Sequence, residues 1–161
     1  MGTAKRRGPG VCLHGLTLQR TKHRLTIRGR DFYAWCAWDT LFLPELLGEP
    51  VAIESSCPVA GTSILLRVSP EGIEFIDPPG AMVTFVTPPD LCCDIDGCEV
   101  EPETLKKRTL TEFCALVHFF STPEAARQWA EGRADTHLLS VDEAFEVGRR
   151  TNRALFGVGT A

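Results

Sequence analysis

The chain has 161 residues, 43% of them hydrophobic and 24% charged, which fits one globular domain with a buried core. A formal net charge of −4 gives no general pull toward nucleic acid or an anionic membrane, and neither is expected as a partner. No apolar stretch follows the basic start Lys5-Arg6-Arg7, and no run reaches the roughly 18 apolar residues of a membrane span, so a cytoplasmic location is expected.

Residues 1–14, rich in Gly, Pro and basic side chains, are expected to form a flexible leader. Gly15-Leu16-Thr17-Leu18 and Arg24-Leu25-Thr26-Ile27-Arg28 alternate apolar and polar residues, which predicts two short strands paired as a hairpin. Asp31 is the predicted N-cap of a helix from Phe32 to Leu47, stopped by Gly48. Pro44 should kink or restart that helix, because it lacks an amide proton and crowds the preceding turn. Strands are predicted at Val51–Ser56, Ser63–Val68, Gly72–Ile76 and Met82–Thr87, with turns at Gly61, Ser69-Pro70 and Pro78-Pro79-Gly80. Pro88 to Thr109 is polar without a clear period and reads as a long loop. Cys114–Phe120 is an apolar run, either a buried strand or a helix end. Ser121-Thr122-Pro123-Glu124 combines a hydroxyl cap, a first-turn proline and an acid, and predicts a helix to about Glu131. A last helix is predicted from about Val141 to Phe156. Helices separated in sequence from a central run of strands define an α+β fold, and the spacing of the strands suits an antiparallel sheet.

Seven cysteines, Cys12, Cys36, Cys57, Cys92, Cys93, Cys98 and Cys114, read as reduced thiols rather than a disulfide framework, and their odd number leaves at least one unpaired. Cys36 and Asp39 are three residues apart, so on a helix they share one face. A carboxylate between Trp38 and Leu41-Phe42 is costly to bury unless matched, and a neighbouring thiol offers it a proton. The plainer alternative is a small buried cysteine beside a turn-capping aspartate. Cys114 supplies a second thiol within an apolar run, where cysteine also packs well. Its neighbour His118 reads as a core or hydrogen-bonded residue rather than a ligand. Cys57 ends an apolar strand and reads as structural. Cys92, Cys93 and Cys98 form the densest thiol cluster and are either loop thiols or an auxiliary metal site, although the second thiol pair of a zinc site is missing. The glycine-rich and Ser-His-Asp motifs of nucleotide binding and acyl transfer are absent. Two thiols and a carboxylate suit a soft metal and a proton moved beside it.

These residues sit in longer stretches that resemble the organomercurial (alkylmercury) lyases. The matching stretches include Phe32-Tyr33-Ala34-Trp35-Cys36-Ala37-Trp38-Asp39-Thr40-Leu41, Ser55-Ser56-Cys57 and Val68-Ser69-Pro70. They continue through Phe113-Cys114, Val117-His118-Phe119-Phe120-Ser121 and Ser140-Val141-Asp142-Glu143-Ala144-Phe145, so the resemblance runs from about Gly15 to Phe156. It implies a catalytic core built as a mixed, mostly antiparallel sheet flanked by helices, a catalytic set of Cys36, Asp39 and Cys114, a structural cysteine at Cys57, and a catalytic domain over residues 15–161. Three departures stand out. Only a short leader is expected where the family usually carries a helical, winged-helix-like domain before this core, Ala115 stands where a second cysteine often follows the catalytic one, and residues 90–109 look like a Cys-containing insertion.

The activity implied is protonolysis of the carbon–mercury bond of R–Hg⁺ to R–H and Hg²⁺, a step in mercury detoxification. Asp39 would shuttle the proton, and Cys36 and Cys114 would hold the Hg²⁺ product, with Asp39 a further candidate ligand. No organic cofactor is expected. The implied partners are an organomercurial substrate and thiol acceptors such as low-molecular-weight thiols or a mercuric reductase. Two other classes stay open at this point: a non-catalytic Hg²⁺ or Cu⁺ chaperone or sensor using the same thiols, and a structural domain acting with a partner.

Overall fold

The computed structural model describes residues 16–86, 107 and 113–157. The leader, Cys12, the thiols Cys92, Cys93 and Cys98, and all of the 90–109 insertion except Lys107 lie outside the described residues. Strands β1 (Leu16–Thr17), β2 (His23–Ile27) and β3 (Arg30–Ala34) lead into helix α1 (Ala37–Leu47). Strands β4 (Val51–Ser56), β5 (Ser63–Val68), β6 (Ile73–Asp77) and β7 (Met82–Val86) follow. A 3₁₀ turn at Cys114–Leu116 precedes β8 (Phe119–Phe120), α2 (Pro123–Ala130), β9 (Thr136–Ser140) and α3 (Val141–Phe156).

The expected α+β class holds, with every described strand pairing antiparallel. The strands divide between two sheets: six in the order β1-β3-β2-β4-β5-β6, and three in the order β8-β7-β9. In the larger sheet an apolar row crosses four strands, Leu25 opposite Ile53, Ile53 opposite Leu66, and Leu66 opposite Ile76. Alternation puts Val51, Ile53, Ile64, Leu66 and Val68 inward, and polar residues such as Arg67 and Glu54 away from the core. Among the described residues no helix is long and apolar enough to cross a membrane.

Three predictions in the stretch from β1 to α1 are corrected. The first strand does not form a hairpin with the second: both pair with β3, Leu16 and His23 each standing opposite Ala34. The hairpin is β2–β3, closed by Arg28 and Gly29, both with positive φ (49° and 74°), as a tight two-residue turn requires. Asp31 is therefore not a helix cap but a strand residue, and its carboxylate accepts a hydrogen bond from Thr26 Oγ1 at 2.9 Å. Helix α1 begins five residues later than the Phe32 start expected, with Cys36 as its N-cap. It continues through Pro44 as one helix instead of restarting there, and ends at Gly48 in the left-handed conformation expected of that glycine.

Helix α1 is buried on every side from Ala37 to Pro44, which marks a helix enclosed in the core rather than one with a solvent face. It touches β2, β3 and β4 on one side, and α3 and β7 on others. Gly148 of α3 lets the two helices approach closely, since a Cβ there would stand 3.0 Å from Phe42 Cβ. Asn152, fully buried, donates to Phe42 O at 3.2 Å and to Glu45 Oε1 at 3.1 Å, pinning α3 along α1. The α3 start is capped by Ser140 and Glu143 in reciprocal hydrogen bonds, which locks the register in which α3 meets α1.

Candidate metal and active site

Cys36 and Asp39 occupy the N-cap and N3 positions of α1 in a capping-box arrangement. The Cys36 backbone amide donates to Asp39 Oδ2 at 3.1 Å, and the Cys36 thiol donates to the same oxygen at 3.3 Å. The shared face expected from their spacing is thus realised at a helix start rather than mid-helix. That position also exposes both groups to the positive end of the helix dipole, which favours a thiolate or carboxylate there.

Cys114 reaches the pair from a segment far away in sequence. The amide of Ala37 donates to Val117 O at 3.3 Å, which seats the Cys114–Val117 turn against the start of α1. Thr84, fully buried in β7, clamps the same segment from the other side. Its hydroxyl donates to Leu116 O at 2.9 Å and accepts from His118 N at 3.0 Å, and its own amide donates to His118 O at 3.0 Å. A cluster of Trp38, Phe85 and Phe113, with ring centroids 5.6–5.7 Å apart, packs beside Cys114 and fixes the residue before it. One sulfur each from Cys36 and Cys114 and one Asp39 carboxylate oxygen then lie within 4.8 Å of one another, all in buried residues. Two metal–sulfur bonds of about 2.3 Å, the zinc–thiolate length, would together span nearly that distance.

Burial controls the protonation of this trio. It raises the Asp39 carboxyl from its ordinary 3.8 to about 7, against the opposing pull of the two Cys36 hydrogen bonds. Burial also pushes the Cys36 thiol well above its ordinary value, helped by the neighbouring Cys114 and by the Asp39 charge. At rest the site therefore holds protons that a thiophilic cation would displace.

All three residues are buried, and Cys114 borders a cavity. A cavity of about 270 Å³ is lined by Cys114 together with Lys22, His23, Trp35 and His118, whereas Cys36 and Asp39 do not line it. His118 hydrogen-bonds Ala115 O through Nε2 at 2.8 Å and stacks edge-on to Trp129, so it stands as a hydrogen-bonded residue outside the trio. Cys57 is buried in the turn after β4, where its sulfur accepts from the Ala60 amide at 3.4 Å, and it too lies outside the trio. Sequence reasoning missed Thr84, for which a hydroxyl inside the apolar strand Met82-Val83-Thr84-Phe85-Val86 was the available signal. It also missed Lys22, His23 and Trp35, which reach the cavity only through strand pairing.

Two buried thiols and a carboxylate within 4.8 Å of one another, on an α+β scaffold, offer donor atoms of the kind that suits a soft metal. The chain belongs to the alkylmercury lyase family, whose pattern matches residues 16–152. It is 42% identical to the alkylmercury lyase of Bacillus cereus over 135 residues, covering 84% of this chain and 55% of that protein. It is 36% identical to the Streptomyces lividans alkylmercury lyase over 141 residues, covering 88% of this chain and 59% of that protein. The Pseudomonas putida alkylmercury lyase is 36% identical over 137 residues, 83% of this chain and 56% of that protein. The chain thus spans little more than half the length of these relatives. A solved structure described as the mercury-bound form of MerB2 shares the fold with a TM-score of 0.66 at 23% identity, over 86% of this chain and 61% of that one.

Proposed function

We propose that the protein cleaves the carbon–mercury bond of organomercurials by protonolysis, with Cys36, Cys114 and Asp39 as its catalytic residues and residues 15–161 as the catalytic domain. The observation that carries this reading is the convergence of two thiols and one carboxylate within 4.8 Å in a buried site of an alkylmercury lyase family member.

Cys114 acts first, because it alone of the three lines the cavity. Its sulfur bonds to mercury, and its proton leaves with the group that mercury sheds, a departing thiolate, or passes to solvent through the cavity. Mercury then lies within reach of Cys36, whose thiol passes its proton across the 3.3 Å hydrogen bond to Asp39 as the second Hg–S bond forms. Two thiolates push electron density through mercury onto the attached carbon and weaken the Hg–C bond. Asp39, now carrying that proton and helped by burial to hold it near neutral pH, delivers it to that carbon and R–H departs. Hg²⁺ remains on Cys36 and Cys114 until thiol acceptors, low-molecular-weight thiols or a mercuric reductase, remove it. The proton and electron balance closes without an organic cofactor or net redox change, and a cytoplasm rich in reduced thiols suits the release step.

The test is incubation of the purified protein with an organomercurial and excess thiol, with detection of the hydrocarbon. Catalytic release of R–H is expected. Tight stoichiometric Hg²⁺ binding with no hydrocarbon would overturn the lyase reading in favour of a metal carrier.

A further inference from the structure

The rim of the cavity beside Cys114 carries the wrong charge for a bare organomercurial cation. Lys22 lines the cavity, and among the described residues it forms no ion pair. An adjoining depression of about 320 Å³ shares Lys22 and adds Arg20 and Arg24, of which Arg24 is already paired with Glu54 and Asp31. The histidines in the cavity are held neutral and neither offset nor add to that charge. His23 is buried and bonded to Ser55 Oγ at 2.8 Å, and burial, with the charges of His118 and Lys22, holds its pKa near 3. Burial lowers His118 as well, and Lys22 adds to the effect. Lys22 is therefore the fixed charge at the entrance, on a protein whose formal net charge is −4. A free R–Hg⁺ approaching Cys114 would be repelled by it.

In the presence of thiols a soft cation does not travel free but bound to sulfur. We propose that this cavity receives the mercurial as its complex with a carboxylate-bearing thiol, R–Hg–SR′, and that Lys22 holds the carboxylate while Cys114 displaces the thiolate. This rests on the lyase reading and names its substrate class. The sulfur-bound mercurial has no net charge at mercury and a negative charge on its carrier, so the same lysine that repels R–Hg⁺ attracts the complex. The step is a thiol exchange: Cys114–SH and R–Hg–SR′ give Cys114–S–Hg–R and R′SH. One Hg–S bond forms and one breaks, the thiol proton passes to the departing sulfur, and mercury keeps its oxidation state. Lys22 would act as a binding residue for the leaving carrier and take no part in the later Hg–C cleavage.

The test uses one organomercurial preloaded on mercaptopropionate, on the methyl ester of that thiol, and on the cationic thiol cysteamine. The rate of alkylmercury transfer to the full chain is followed by quenched mass spectrometry, and hydrocarbon is measured separately in the headspace. Wild type should accept the acid complex about three- to tenfold faster than the ester at low salt, with the advantage shrinking as salt screens the rim. Lys22→Gln should bring the acid-to-ester ratio to about one, and Lys22→Glu should favour the cysteamine complex over the acid. Since both variants alter an exposed side chain, circular dichroism confirms that they share the wild-type fold. An acid-to-ester ratio unchanged in both variants, or absent in wild type, would overturn the proposal. Because transfer is read apart from hydrocarbon, carrier selection without cleavage would sustain this inference while sinking the lyase reading, and cleavage without carrier selection would do the reverse.

Discussion

The backbone amide and the thiol of Cys36 converge on one oxygen of Asp39, at 3.1 and 3.3 Å. A single carboxylate oxygen thus both caps helix α1 and accepts a hydrogen bond from the thiol. The structural role of Asp39 and the chemical role proposed for it coincide in position, but they can be separated by substitution, because an amide oxygen can still accept the backbone hydrogen bond.

The thiols should fail in different ways. Cys114→Ser removes the sulfur that lines the cavity, so it should lose capture of the mercurial and at least a hundredfold of cleavage, roughly what a lost catalytic group costs. Cys36→Ser should still be alkylmercurated at Cys114, yet release no hydrocarbon. Mass spectrometry of the trapped protein, alongside headspace analysis, checks both outcomes. Equal alkylmercuration of the two variants would contradict the order of attack.

Thr84 should act on the reaction through the segment it clamps. Thr84→Val removes a hydroxyl that makes two part-buried hydrogen bonds to the Leu116–His118 backbone, leaving both groups without that partner. A stability loss of about 1–3 kcal/mol is expected in urea denaturation. Cleavage should slow about tenfold or more as Cys114 drifts from Cys36, and Thr84→Ser should restore most of both.

The Asp39 carboxyl should set a pH dependence of stability. In the folded state it titrates near 7 and in the unfolded chain near 3.8. Below about pH 4 both states are protonated and burial costs nothing. Between those values the unfolded carboxyl ionises while the folded one keeps its proton, so stability falls as pH rises, and it levels off above about 7. Asp39→Asn removes this slope. Its stability relative to wild type should therefore improve by on the order of a few kcal/mol between pH 4 and pH 8, read from urea midpoints. A difference that stays constant across that range would contradict the burial of an ionisable group here.

Gly148→Ala would ordinarily stabilise a helix by about 1 kcal/mol. Here the added Cβ meets Phe42 Cβ at 3.0 Å and Phe42 Cα at 3.5 Å, neither the end of a flexible side chain. Separation of α3 from α1 should cost more than the propensity gain, for a net loss of about 1–3 kcal/mol and a lowered Tm. An unchanged or raised Tm would mean that the two helices part easily.

Much of this was legible in the sequence wherever the signal is local. The α3 start at Ser140-Val141-Asp142-Glu143 and the α2 start at Thr122-Pro123-Glu124 are written in capping residues, and β4 and β5 in strict alternation. The region before α1 was misread because Asp31 is a good helix cap, and Phe32-Tyr33-Ala34-Trp35 suits a strand as well as a helix. Gly29, at the tip of the true hairpin, was the overlooked turn signal. Strand β9 went unseen because it precedes α3 without a break. The trio itself was legible as residue types in matching stretches, but its closure was not. Cys114 reaches Cys36 through the Ala37–Val117 and Thr84 contacts, which depend on two sheets and a helix meeting. The cavity rim at Lys22 is equally a product of strand pairing and has no local signature.

The proton role of Asp39 is the centre of the account, and Asp39→Asn tests it most directly. An Hg²⁺ titration and a single-turnover measurement of hydrocarbon release should be run side by side on wild type and variant. Both thiols survive in the variant, so Hg²⁺ binding should stay within a few-fold of wild type. The amide can neither accept the Cys36 proton nor return one to carbon, so cleavage should fall by about 10²–10⁴-fold. Equal hydrocarbon release from the two proteins would contradict the account.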